Sequence, residues 1–393
     1  MRHLYVHVPF CARRCSYCDF AIAVRKRIPA REYLDAVQRE LELIRTAAPG
    51  PVARGSSDSP LDTIYLGGGT PSLLPPDAIA ALLTSFRDAF HVTSPRDDVA
   101  ATSLRDGVEV TLEANPDDVT PQSAAMWRRS GVNRVSLGAQ SFDDRVLAWM
   151  HRSHEAATIG AAVRNLRTAG IANISLDLIF ALPVELGRDW SRDLDRALGL
   201  EPVHLSLYGL TVEERTPLAR WISRGATSAP DDERYSDEYL RAHTRLTAAG
   251  YRFYEVSNAA RDDRRSRHNS AYWSGAAYLG LGPAAHSFDG RARRWNVAAW
   301  EEYRRALAAG HSPLASEEVL TAEQRELERL YLALRTDAGL LVTDLYRPLP
   351  SSTALWAARG WVELTGGRLR CTPEGWLRLD TLVRDLTAPT LTS

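Results

Sequence analysis

Between residues 4 and 208 a short apolar segment followed by a helical pattern recurs, and this alternation confines the chain to a parallel α/β architecture. The strand segments are Leu4–Val8, Leu61–Leu66, Val108–Leu112, Arg134–Leu137, Ile174–Ile179 and Val203–Tyr208. Between them lie helical stretches at Pro29–Ala48, Pro76–Ala89, Gln122–Ser130, Ala156–Ala169 and Trp190–Leu198. The first carries Leu34, Val37, Leu41 and Ile44 on one stripe, the spacing of a buried helix face. Breaker-rich Pro49–Pro60 reads as a loop, and polar, aperiodic His91–Asp106 as a surface excursion. Six units suggest a partial (β/α)6 barrel more than a doubly wound sheet. The distinctive residues support this, because they gather at the C-terminal ends of successive strands, where barrel enzymes build their sites.

Three of the four cysteines, Cys11, Cys15 and Cys18, fall in one window directly after the first strand. A C-x3-C-x2-C loop lets three thiolates converge on one inorganic centre, and thiolates select iron–sulfur clusters, zinc or Cu(I). Structural zinc wants four ligands, but the fourth cysteine, Cys371, lies far along the chain, and His3 and His7 sit on the preceding strand. A disulfide would leave one thiol over. An electron carrier using Cys371 as fourth ligand remains a further reading. The other is a [4Fe–4S] cluster on three cysteines, with one iron left open for a small molecule.

Composition narrows the function classes. With 48 basic and 49 acidic residues the net charge is −1, so no bulk field draws nucleic acid or an anionic membrane. No stretch approaches the ~18 consecutive apolar residues of a membrane span, so no intrinsic anchor is expected. A structural strand by Leu4 leaves no room for a signal peptide, and few cysteines suit a reducing cytoplasm.

Three regions are expected: a barrel at 1–230, a flanking segment at 231–311 and a smaller α+β domain at 312–393. The flanking segment contains helix Asp231–Ala249, strand Arg252–Val256, a charged loop Arg261–Arg267 running into His268-Asn269-Ser270-Ala271-Tyr272-Trp273, and the tight-turning Gly280–Ser287. In the last region helix Glu323–Leu334, strands Trp361–Leu364 and Arg368–Cys371 around a Gly366-Gly367 turn, and helix Pro373–Leu382 look like a winged helix. A neutral chain argues against DNA as its partner.

Taken together, YVHVPFCARRCSYCDF, YLGGGTPS, LEANPDD, GVNRVSLGAQSF, SLDLIFALP, YEVSNAA, RHNSAYW and YLGLGPAAHS resemble one branch of the radical S-adenosylmethionine (SAM) superfamily. That branch holds the oxygen-independent coproporphyrinogen III oxidases and the HemW haem chaperones, and the resemblance spans nearly the whole chain. It implies a [4Fe–4S] cluster on Cys11, Cys15 and Cys18 whose open iron is chelated by SAM. It places Tyr5 near the cluster and Tyr17 against the cofactor. Gly68, Gly69 and Thr70 would admit the methionine moiety of SAM, and Glu113, Gln140, Arg152 and Asp177 would contact the cofactor. Two features select the HemW branch. Phe20 stands where the oxidases carry a fourth cysteine, and His268-Asn269-x-x-Tyr272-Trp273 matches the HNxxYW motif typical of HemW.

Haem is therefore implied as cargo, with His268 as axial ligand and His286 in reserve. Asn269, Tyr272 and Trp273 complete the motif, and Arg264, Arg265 or Arg267 could pair with propionates. Read from the residues alone, His268 fits better as a loop histidine packed with two aromatics into a domain seam; the resemblance is what favours haem. Haem-accepting proteins, respiratory ones among them, are the implied partners, and homodimerisation stays open. The alternative is coproporphyrinogen III dehydrogenation, in which a deoxyadenosyl radical takes a propionate β-hydrogen and loss of CO2 leaves a vinyl group. The resemblance does not favour that activity. Phe180-Ala181 and Ala284 depart from the commoner Tyr-Gly and Gly of the family.

Overall fold

The computed structural model describes residues 2–46, 61–90, 107–346 and 348–387. The segments read as loop Pro49–Pro60 and excursion His91–Asp106 lie outside them. Six parallel strands run in sequence order across the sheet: β1 (His3–Val8), β2 (Thr63–Gly68), β3 (Glu109–Ala114), β4 (Arg134–Gln140), β5 (Asn173–Phe180) and β6 (His204–Gly209). Helices α1 (Ala30–Thr46), α2 (Pro76–Phe90), α3 (Pro121–Ser130), α4 (Ala156–Thr168) and α5 (Trp190–Gly199) connect them. This is the expected α/β partial barrel.

The strands alternate until close to their C-terminal ends. Leu4, Val6, Val8, Ile64, Leu66, Val110, Leu112, Val135, Leu137, Ile174, Leu176, Leu205 and Leu207 are buried among the apolar core residues. The intervening positions are polar: His3, Tyr5 and His7, then Thr63 and Tyr65, Glu109, Thr111 and Glu113, Arg134 and Ser136, Asn173, Ser175 and Asp177, His204, Ser206 and Tyr208. Successive side chains point to opposite faces of a sheet, so this period of two separates an apolar face from a polar one. In-register pairing stacks the polar positions side by side, with His3 beside Thr63, Tyr65 beside Thr111, Glu113 beside Ser136 and Asp177 beside Ser206. The helices cover the apolar face. α3 begins at a capping box between Thr120 and Ser123, and α5 at Asp189, whose side chain accepts from the Arg192 amide.

The sheet is larger than the sequence suggests. On the β6 side it continues through antiparallel β7 (Arg252–Glu255) and β8 (Asn258–Ala260). On the β1 side, β9 (Tyr278–Leu281) adds in parallel, followed by antiparallel β10 (His286–Phe288), β11 (Ala292–Asn296) and β12 (Leu314–Val319). Two further corrections concern helices. Arg267–Trp273, expected as the end of a loop, is a helix capped by Ser266, whose hydroxyl accepts from the Asn269 amide. The helix expected over Pro373–Leu382 is two, Pro373–Trp376 and Leu379–Thr387. The C-terminal part otherwise has the anticipated form: helix Ala322–Arg335, helix Ser352–Ala358 and a three-stranded antiparallel sheet of Leu340–Leu341, Val362–Thr365 and Arg368–Cys371.

Candidate cofactor cavity and the HNSAYW helix

A cavity of about 750 Å³ opens at the C-terminal ends of the parallel strands. Its wall includes Cys11, Cys15, Cys18, Tyr17, Gly68, Gly69, Thr70, Glu113, Gln140, Arg152 and Asp177. Of the residues expected at cluster or SAM, all but Tyr5 are thus gathered on one surface. Tyr5 lies below it, its hydroxyl 3.1 Å from His7 Nδ1 and its ring stacked on Tyr65.

The cysteine loop is held from both sides. Phe10–Cys11 pairs in parallel with Ala23–Val24, and the Arg25 amide donates to the Cys11 carbonyl at 3.0 Å. Behind the loop, Val146, Met150, Ile179, Leu182, Leu210 and Leu218 form a separate apolar cluster against which Tyr17, Trp149 and Trp221 pack. Ser16 is stitched into it, donating to the Met150 carbonyl at 3.1 Å and accepting from the Leu218 amide at 2.8 Å. Thr70 Oγ1 donates to Cys11 Sγ at 3.4 Å and Arg152 Nη1 to Cys15 Sγ at 3.5 Å. Burial raises the Cys11 thiol and pushes Cys18 up to about 11, so a metal held here would have to displace protons. Among the described residues no three His, Cys, Asp or Glu side chains lie close enough to share a single metal ion. Three thiols that each take a different iron of a cluster have no need to.

Opposite the cysteines, the backbone comes very close. A Cβ on Gly69 would lie 2.7 Å from the Phe10 carbonyl oxygen and 2.9 Å from the Pro9 carbonyl carbon. Gly68 has φ +110°, a region that L side chains rarely adopt. The turn is fixed by Glu113, which accepts from the Gly68 amide at 3.0 Å and the Tyr65 hydroxyl at 2.8 Å. Burial raises its carboxyl to about 7, against the lowering effect of those two bonds. Asp177 is likewise raised by burial while accepting from Ser136 at 2.9 Å and Ser175 at 3.2 Å.

Arg152 is no solvated charge. It bonds Asn115 Oδ1 and, at 3.0 Å, the Gly138 carbonyl, spanning the ends of β3 and β4. Gln140, with φ 64°, sits where the β4–β5 register shifts. The sequence reading missed Ser136, Asn115 and Tyr208 on the same wall; the polar period of two in each strand would have pointed to Ser136 and Tyr208.

The HNSAYW motif does not reach this cavity. His268 is 1% exposed. Its Nδ1 lies 2.6 Å from Thr63 Oγ1 and its Nε2 2.9 Å from the Tyr272 hydroxyl, so neither ring nitrogen presents a free lone pair. Burial, first of all, and His3 hold it neutral, at about 3. Glu109 accepts from the backbone amides of Arg267 and His268 at 3.2 Å and pins the helix N-terminus to the barrel. Trp273 faces elsewhere. With Ser270, Phe288, Leu332 and Arg265 it lines a second cavity of about 550 Å³, against helix Ala322–Arg335. Arg335 lies over its indole at 4.3 Å. His286 is exposed and stacked on Trp295.

A strand-one cysteine triad facing a glycine turn across a barrel mouth defines a radical-SAM-type protein, and a model of the Radical SAM superfamily matches residues 5–197. Heme chaperone HemW of Mycobacterium tuberculosis is 38% identical over 98% of this chain and 94% of its own length. Heme chaperone HemW of Bacillus subtilis is 33% identical over 86% and 85%. The mitochondrial radical S-adenosyl methionine domain-containing protein 1 of Bos taurus is 34% identical over 98% and 86%. The chain belongs to the HemW family of the radical SAM superfamily. Coproporphyrinogen III oxidase (HemN) from Escherichia coli superposes with a TM-score of 0.77 at 23% identity, covering 98% of this chain and 90% of that one, which shows a shared fold. No helix among the described residues is long and apolar enough to cross a membrane.

Proposed function

We propose that this protein is a cytoplasmic haem chaperone that carries a SAM-coordinated [4Fe–4S] cluster and passes haem to acceptor proteins. The observation that carries the cofactor part is the convergence of Cys11, Cys15 and Cys18 on one cavity with Gly68, Gly69 and Glu113. The donor set suits a cluster, and the glycine turn packs so closely on the Phe10 and Pro9 carbonyls that no Cβ fits, which fixes backbone amides beside the cysteines. When bound, the cluster supplies the electron for reductive cleavage of SAM. The protein's own part is to seat the chelator. Arg152 and Gln140 offer donors on one wall, while Glu113 and Asp177 supply buried carboxyls, both raised by burial and both held by hydrogen bonds.

Haem binding is supported by the names of the full-length relatives and by the HNSAYW helix. The cavity beside Trp273 combines aromatic and aliphatic walls with Arg265, Arg325 and Arg329; Asp337 holds Arg265 and Glu326 holds Arg329, so propionates there compete with those carboxylates. Arg264 precedes that helix, and Arg267 opens it with its guanidinium on the Gly107 carbonyl and near Asp62. His268 does not line that cavity; to serve as axial ligand it must give up both the Tyr272 hydroxyl at Nε2 and its barrel-facing position, bringing Asn269 with it. His286, already free at the surface, is the competing ligand.

The test is a haem titration of wild type, His268→Ala, His286→Ala and Trp273→Ala, read by the Soret band. The proposal expects a Soret shift on His268→Ala and weaker binding on Trp273→Ala. An unchanged band in His268→Ala with a shift in His286→Ala reassigns the ligand. No haem binding by wild type overturns the chaperone reading, as does turnover of coproporphyrinogen III to protoporphyrinogen IX under anaerobic reducing conditions with SAM.

A further inference from the structure

We propose that the cationic rim around Cys15 and Cys18 is the docking face for a small acidic electron-carrier protein. Although the whole chain is balanced, with 48 basic and 49 acidic residues, positions 10–31 hold six basic residues and only one acidic, Asp19. The fold concentrates them. Because Phe10–Cys11 and Ala23–Val24 pair in parallel, the segments that follow, Ala12-Arg13-Arg14 and Arg25-Lys26-Arg27, emerge side by side from the same end. Arg25 is tied to Glu301 at 3.1 Å and Arg14 to the Cys18 carbonyl at 3.2 Å. Arg13, Lys26 and Arg27 are exposed and make no ion pair with any described residue.

Within this ring, two apolar side chains face solvent: Phe20 is 61% exposed and Val24 45%. An apolar centre with a charged rim is the anatomy of a transient protein interface, and a predominantly positive rim steers a partner of opposite charge. The position selects the partner. These residues bracket the cysteine loop, whose Cys15 and Cys18 are only partly buried, so a protein seated here brings its redox centre next to the cluster. An acidic haem acceptor would instead need the HNSAYW helix, whose His268 faces the barrel interior.

The step is a one-electron transfer: the carrier's reduced centre loses one electron, the oxidised cluster gains it, and no bond breaks. The inference rests on the cluster reading above. It is tested by anaerobic stopped-flow reduction of the reconstituted protein with a purified acidic [2Fe–2S] ferredoxin, for wild type and Lys26→Glu/Arg27→Glu. The wild-type rate constant should fall as salt rises. The double variant should be slower by about ten-fold at low ionic strength and nearly insensitive to salt. Dithionite, which needs no docking face, should reduce both at one rate. Equal ferredoxin rates in the two proteins, or equal slowing with both reductants, overturn the proposal. Iron analysis of the same samples separates that outcome from failure of the cluster reading, which would leave wild type without iron.

Discussion

Replacing Arg188 should destabilise the barrel rim out of proportion to its distance from any cysteine. Its side chain is 0% exposed and lies between two nearly buried carboxylates, 3.5 Å from Asp193 and 2.8 Å from Glu238. Each carboxylate holds a loop that follows a strand of the cavity wall. Asp193 accepts from the Ser141 hydroxyl at 2.7 Å and the Phe142 amide at 2.9 Å, just after Gln140. Glu238 accepts from the Ala181 amide at 2.7 Å, just after β5. Gln140 and Ala181 have φ of 64° and 57°, left-handed conformations that cost a non-glycine residue about 1 kcal/mol and need outside support.

Arg188→Met leaves two buried carboxylates short of a cation; Glu238 keeps Arg234 at 2.9 Å, and Asp193 keeps none. Breaking a buried pair in this way costs about 3–5 kcal/mol. With an unfolding entropy of about 2 cal/mol/K per residue, a chain of 393 residues should lose about 4–6 °C in Tm. The triple variant Arg188→Met/Asp193→Asn/Glu238→Gln leaves no buried carboxylate without a cation, frees only the partly exposed Arg234, and should regain most of that loss. Thermal unfolding followed by circular dichroism reads both numbers. A single variant within 1 °C of wild type, or a triple variant no better than the single, would refute the reasoning.

Three more outcomes follow from the same geometry. Gly69→Ala drives a Cβ into the Phe10 and Pro9 carbonyls beside Cys11, so cluster content should drop while the far-ultraviolet spectrum stays native; wild-type iron content would contradict this. Arg152→Met removes the bonds to Gly138 and Asn115 and should weaken SAM binding about ten-fold or more, measured by anaerobic calorimetry, with iron retained. Glu40, buried and bonded to Tyr303, Asn296 and the Gly282 amide, is raised by burial from 4.5 to about 7. Its folded form holds the proton where the unfolded chain has lost it, so its contribution is present below pH ~4.5 and declines up to about pH 7. Glu40→Gln should therefore gain on wild type by up to about 3 kcal/mol between pH 4.5 and 8 in denaturant titrations; a constant difference across that range would contradict it.

Much of the fold was legible because β/α alternation and the cysteine window are local signals. The strand ends anchoring Glu113, Gln140 and Asp177 fell within a few residues of their observed places. Other features depend on tertiary context. Arg267–Trp273 is too short for helical periodicity to show, although Ser266 three residues before Asn269 was a usable cap signal. Strands β9–β12 are short, and β12 is exposed throughout, so no apolar run marks it. His268 illustrates the remaining gap. Spacing showed an imidazole among aromatics, whereas only pairing across the barrel revealed Thr63 and Tyr272 on its two nitrogens. The roles assigned to Phe20, Arg13 and Lys26 likewise depend on the two-residue pairing of Phe10–Cys11 with Ala23–Val24, which no periodicity betrays.

The most direct measurement is electron paramagnetic resonance of the anaerobically reconstituted, reduced protein with and without SAM, alongside iron and sulfide analysis. Four irons and four sulfides per chain, with a signal that changes when SAM is added, are the predicted result. Absence of iron, or a cluster signal indifferent to SAM, would contradict the account.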